Sequence, residues 1–134
     1  AVWTHEDTVK FLDFLFEHHA EIGEGFVFKK KTYTAASDLL EGCRTVGGEK
    51  DANACACKWA SLKATFKVIG QIIEHTGWGP WSDEHGAGIT ALEADSWDRF
   101  VRQNKLAKPF RNAGWRYKDK VEWIMPYTPK GTHV

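Results

Sequence analysis

Between residues 52 and 75, Cys55, Trp59, Leu62, Phe66, Ile69 and Ile73 recur at spacings of four, three, four, three and four. An α-helix puts such positions on one face and a strand does not. The spacing therefore predicts a helix over roughly 52–75, opened by Asp51 as N-cap and stopped at Gly77. Its opposite side carries Asn53, Cys57, Ala60, Ala64 and Val68, with Ser61 and Lys67 flanking; Lys58 and Lys63 sit nearer the edges of the apolar stripe. A stripe of only about three heptads is read as the core face of a bundle, not as a coiled coil or a membrane-binding surface.

The rest of the chain reads as helices of the same kind. Thr4-His5-Glu6-Asp7 is a capping box that starts a first helix. Phe11, Leu12, Leu15, His19 and Ile22 follow at helical spacing, widened by Phe14 and Phe16, to a stop at Gly23 and Gly25. Helix two is expected at about 32–43 with Tyr33, Ala36, Leu39 and Leu40 inward, then a Gly-Gly turn at 44–51. Helix four is expected at about 90–104, using Leu92, Trp97, Phe100 and Val101. A last short helix is expected at 117–125, using Tyr117, Val121, Ile124 and Met125. No useful β alternation, repeat or low-complexity segment is present, so the fold class is all-α. The expected organisation is a core over 1–80, a C-terminal helical extension packed on it over 81–126, and a frayed tail over 127–134.

Charge constrains partners. The 18 Lys and Arg cancel the 18 Asp and Glu of these 134 residues, which argues against a strongly basic nucleic-acid binder. The cancellation is uneven: net −5 over 1–25, +4 over 26–70, −6 over 71–98 and +7 over 99–134. Screening over about 8–10 Å lets a local basic surface act alone. No apolar run nears the ~18 residues of a membrane span, and no signal peptide opens the chain. The start at Ala1-Val2-Trp3, without Met, is read as that of an excised domain. Three cysteines cannot all pair with one another, so a reducing compartment is expected.

Little catalytic chemistry emerges. Cys55 and Cys57 point about 200° apart on a helix, so they do not make a zinc pair, and the expected roles are Cys55 as core thiol, Cys57 as surface thiol and Cys43 as helix-end thiol. His18 and His19 are sequence neighbours that do not face each other. No phosphate-cradling glycine loop, dinucleotide fingerprint, HExxH or GxSxG motif occurs. The expectation is a non-enzymatic module with no metal and no cofactor. The outer side of helix three offers different chemistry. Small Cys57, Ala60 and Ala64 admit close approach, Asn53 and Ser61 can bond base edges, and Lys58, Lys63 and Lys67 can reach phosphates. Lys29, Lys30 and Lys31 lie just before helix two, where amides and ammonium groups can clamp a phosphate.

These residues resemble the Myb/SANT-like domain, in the trihelix-related branch found in fungal, plant and transposon-associated proteins. The resemblance rests on Trp3 at the opening of helix one, the lysine step into helix two, and Lys58-Trp59-x-x-Leu62-Lys63-x-x-Phe66. Gly47-Gly48-x-Lys50, Thr76-Gly77-Trp78-Gly79-Pro80-Trp81 and Ala107-Lys108-Pro109-Phe110-Arg111-Asn112-x-Gly114-Trp115 extend it over roughly 3–126. It implies a three-helix, helix-turn-helix bundle around an aromatic core with an added C-terminal helical segment, helix three being the DNA-recognition helix. Trp3 and Trp59 would then be core, with Trp97, Trp81 and Trp115. Where Myb repeats carry a second Trp in helix two, this chain has Tyr33 and Ala36.

The expected function is that of a double-stranded DNA-binding module of a nuclear or transposon-derived regulator. Its DNA contacts would be Lys29, Lys30, Lys31, Lys50, Asn53, Cys57, Lys58, Ala60, Ser61, Lys63, Ala64 and Lys67. The alternative is a SANT-like protein-interaction module that binds a basic partner, such as a histone tail, through its acidic segments. Arg99, Arg102, Lys105, Lys108, Arg111, Arg116, Lys118 and Lys120 form a second basic segment, most of it expected to pair with the acids of 71–98 and of helix one.

Overall fold

The computed structural model describes residues 2–41, 50–75 and 77–125. The readings at Cys43, the Gly-Gly turn, Thr76 and the tail fall outside them. Among the described residues five α-helices appear: α1 (His5–Glu17), α2 (Lys30–Glu41), α3 (Ala52–Glu74), α4 (Ala94–Gln103) and α5 (Lys118–Ile124). Three 3-10 segments join them, at His19–Glu21, Glu24–Phe26 and Lys105–Phe110. Among the described residues no β-strand forms; the one β-type pairing is an isolated bridge between Ser82 and Gly86. The protein is all-α.

Local chemistry explains the helix ends. Thr4 Oγ1 accepts from the Asp7 amide at 3.1 Å while the Thr4 amide donates to Asp7 Oδ2 at 3.4 Å, the reciprocal bonds of a capping box. Asp51 Oδ1 accepts from the Ala54 amide at 2.8 Å and caps α3. α1 stops at Glu17, short of the expected glycines. His18 donates from Nδ1 to the Phe14 carbonyl at 2.9 Å, beside its own amide at 3.2 Å, and His19 from Nδ1 to the Phe16 carbonyl at 2.6 Å, so two imidazoles bond carbonyls of the last turn where the chain passes into the 3-10 segment. α4 begins at Ala94 and not near 90. Leu92, expected to face inward, lies in the preceding turn and is 96% exposed.

The chain divides into two compact units, residues 1–60 with 119–134, and residues 61–118. The division falls inside α3 and places α5 from Asp119 onward with α1, whereas the sequence reading set a boundary at 80. In the first unit Phe11, Leu12, Leu15, Ala36, Leu40, Cys55, Trp59, Val121 and Ile124 are fully or almost fully buried. Trp59 meets Phe28 edge-on at 5.8 Å, Phe28 meets Tyr33 edge-on at 6.1 Å, and Trp59 Nε1 donates to the Phe26 carbonyl at 2.8 Å. Removing such an indole costs about 3–5 kcal/mol. α5 is tied to α1 by Lys120 on Asp13 at 2.8 Å and by Trp123 against Phe16, ring centroids 6.4 Å apart. Trp123 itself is 56% exposed.

The second unit is built on the later half of α3. Val68, Ile69 and Ile72 pack with Trp78, Ala87, Ile89, Trp97, Ala107 and Phe110, and Trp81, Phe100, Val101 and Trp115 lean on this core. His75 stacks on Trp78 at 3.6 Å; Trp78 meets Trp97 and Phe100 edge-on at 5.1 and 5.2 Å and donates from Nε1 to Ser96 Oγ at 2.9 Å. Two expectations for α3 are corrected here: Val68 is buried and Ile73 is 46% exposed. The partners of the second half decide that face. Gly86, at φ +57, lets the chain pass against the carbonyls of Ala113 and Phe110, and Gly114 lies against the Asp83 carbonyl. A Cβ at either position meets rigid backbone. Gly86→Ala and Gly114→Ala should each lower stability by more than about 2 kcal/mol, read by denaturant unfolding.

Lys50, expected on the DNA-contacting side, is buried instead. Its Nζ lies 3.2 Å from Asp7 Oδ2, with both side chains almost wholly out of water. Burial alone would raise the Asp7 pKa. The hydrogen bond and charge of Lys50, with the Thr4 amide and hydroxyl, outweigh that and hold it below the ordinary 3.8. An ammonium held this way cannot reach a phosphate. Asp7→Asn should cost about 3 kcal/mol because it strands a buried cation, and Asp7→Asn with Lys50→Met should recover much of the loss. A carboxylate with a depressed folded pKa contributes stability above its unfolded pKa and loses it as pH falls through the folded value. Unfolding midpoints of the native chain should therefore fall below about pH 4, with a shallower fall in the double variant.

Candidate nucleic-acid interface

The longest element sets the geometry. α3 has 23 residues and extends about 34 Å. Asn53, Cys57 and Ala60, on its part in the first unit, are exposed. Ser61, Ala64 and Lys67, on its part in the second, are exposed as well. Within the first unit, positions 53, 57 and 60 follow one another at helical spacing; within the second, positions 64 and 67 do, and exposed Gln71 continues them. Gln71 is absent from the sequence reading although the same four-three spacing reaches it. It is a side chain that can bond adenine on two edges.

The flanking lysines differ. Lys58 Nζ lies 5.5 Å from the centre of the Trp3 ring, and Lys50 Nζ reaches the same ring at 5.7 Å. Burial lowers the pKa of both Lys58 and Lys63 from 10.5. Lys67 is exposed. No acid stands on α3 between Ala52 and Ile73; Glu74 is the first.

Lys29, Lys30 and Lys31 are exposed where α2 begins, and the first turn of α2 holds no acid. Three cations at the positive end of a helix dipole are unfavourable by themselves, and a bound phosphate would relieve them. Phe28, one residue before, packs on Trp59, which ties this lysine step to the start of α3. Of the sequence-predicted residues, the first unit exposes Lys29–Lys31, Asn53, Cys57 and Ala60, half-buries Lys58 over Trp3, and withdraws Lys50.

The thiols separate as expected: Cys55 is buried and Cys57 exposed. Burial, then the charge of Asp51, push the Cys55 thiol up to about 11 despite Lys50 nearby. Among the described residues no cluster of His, Cys, Asp or Glu could hold a metal ion, and no helix is long and apolar enough to cross a membrane. Brief iodoacetamide treatment near neutral pH should alkylate Cys57 and spare Cys55 in peptide mass maps; labelling of Cys55 in the folded chain would contradict this placement.

The expected pairing of the 99–120 bases is mostly not found. Lys120 pairs with Asp13, but among the described residues Arg99, Arg102, Lys105, Lys108, Arg111 and Arg116 make no ion pair. Comparison with protein-family models, curated proteins and solved structures finds no match for this chain.

Proposed function

We propose that this chain is a double-stranded DNA-binding module of the Myb/SANT-like kind, with α3 lying in the major groove, acting in a nuclear or transposon-derived regulator. The observation that carries the reading is that the part of α3 in each unit exposes small and polar residues, Asn53, Cys57 and Ala60 in the first and Ser61, Ala64 and Lys67 in the second, with no acid before Glu74. The order α1, α2, α3 with Trp59 buried against Phe28 suits a three-helix recognition module, and the burial of Tyr33 is compatible with an aromatic core position on helix two. Asn53 and Gln71 supply adenine-type contacts, Ala60 and Ala64 meet thymine methyl groups, and phosphates are held by Lys29–Lys31 in the first unit and, separately, by Lys67 in the second. The positive charge of α3 favours DNA over a histone-like basic partner, which the face would repel.

A binding selection on random duplexes should return sites that require A·T pairs. Asn53→Ala should relax preference at one position by about 1–3 kcal/mol, and Lys67→Ala should lower the salt slope by about one unit on every sequence. G-rich sites with no A·T requirement, or binding indifferent to salt, would defeat the reading. Tight binding of a basic peptide with none of duplex would favour the protein-interaction alternative.

A further inference from the structure

The basic residues of the second unit have a geometry that their charge alone does not convey. The segment Lys105–Phe110 is a 3-10 helix, and Arg111 continues it with φ −56° and ψ −47°. Three residues per turn bring positions i and i+3 into register, so the segment has three columns. Ala107 and Phe110 form the column that enters the core. Leu106 and Pro109 form a second, exposed column. Lys105, Lys108 and Arg111 form the third, and all three are exposed.

We infer that this column is a second contact surface for the phosphate backbone of duplex nucleic acid, separate from the exposed residues of α3. At about 2.0 Å rise per residue, its charges stand roughly 6 Å apart. One strand of a duplex offers a phosphate about every 3.4 Å of axis, so each charge can meet its own. Among the described residues none of the three is ion-paired; Arg111 Nη1 donates to Asn112 Oδ1 at 3.2 Å and keeps its charge.

The mounting is rigid. The Phe110 and Arg111 carbonyls accept from the amides of Ala87 and Ile89 at 2.9 and 3.1 Å, and Asn112 Nδ2 donates to the Ile89 carbonyl at 3.1 Å. Pro109 restricts φ inside the segment, and Gly86 admits the close approach of the Phe110 carbonyl. The column's backbone is therefore already ordered, and binding costs it little further freedom. Three cations mounted at regular intervals on an ordered backbone match the regular phosphate spacing of a duplex, which an acidic peptide does not offer. Contacts of this kind read no base sequence.

The test compares two triple variants of equal charge, Lys105→Gln/Lys108→Gln/Arg111→Gln and Arg99→Gln/Arg102→Gln/Arg116→Gln. All six positions are exposed and without an ion pair, so both variants should keep the native circular dichroism and melting point. On a short random-sequence duplex, the slope of log affinity against log salt should fall by about 2–3 for the column variant and by less than about 1 for its control. The loss should be the same on unrelated duplex sequences. Equal losses in both variants, no loss in the column variant, or tighter binding of a polyglutamate peptide than of duplex would overturn the inference. Repetition in an Asn53→Ala/Lys67→Ala background keeps it distinct from the α3 reading. A column-dependent slope that persists there supports a separate surface, and its disappearance there overturns one. Failure of the α3 reading would show instead as a sequence preference unmoved by Asn53→Ala.

Discussion

α3 contributes side chains to two separate cores and leaves exposed residues on its part in each unit. Its first half inserts Cys55 and Trp59 among the residues of the first unit. Its second half inserts Val68, Ile69 and Ile72 into an aromatic cluster held by Trp78 and Trp97. In each unit the outward positions stay out of the core: Asn53, Cys57 and Ala60 in the first, and Ala64, Lys67 and Gln71 in the second, where Val68 beside them is buried. Small residues at these positions do not contribute to either core, so the packing leaves their identity free for a partner to use.

Charge follows the same logic of place. A lysine on a helix face in water, such as Lys67, stays available to a polyanion. A lysine of the same formal charge, Lys50, is spent on Asp7 inside the first unit and becomes part of the framework. The capping box explains why Asp7 is held in place to receive it, since Thr4 fixes the carboxylate at the start of α1. The zero net charge of the chain therefore averages over buried, paired and exposed cations that do quite different work. In the second unit the exposed cations of α4 and of the following 3-10 segment make no ion pair among the described residues, although acids stand close to them in sequence.

Local codes were readable where one short-range interaction decides the outcome. The Thr4 and Asp51 caps, the extent of α3, and the inward Cys55 against the outward Cys57 all follow from i, i+3 and i, i+4 geometry. The end of α1 was misread because imidazoles at His18 and His19 bond carbonyls of the last turn, an option that apolar periodicity does not encode. Lys50 was misplaced because a lysine reads as solvated until a carboxylate distant in the chain is folded beside it. The basic column was invisible for another reason: a three-residue period over seven residues, interrupted by Pro109, looks like a loop.

The sequence by itself determined an all-α chain, its main helices, and exposed small and polar residues on the longest of them, because helical periodicity and end caps are written into neighbouring residues. Only the tertiary structure decided which face of the later half of α3 is buried, which lysines remain in water, and that Lys105, Lys108 and Arg111 stand in line. Those outcomes depend on residues far apart in the chain, Asp7 with Lys50 and Ala87 and Ile89 with Phe110 and Arg111, whose meeting no local pattern specifies.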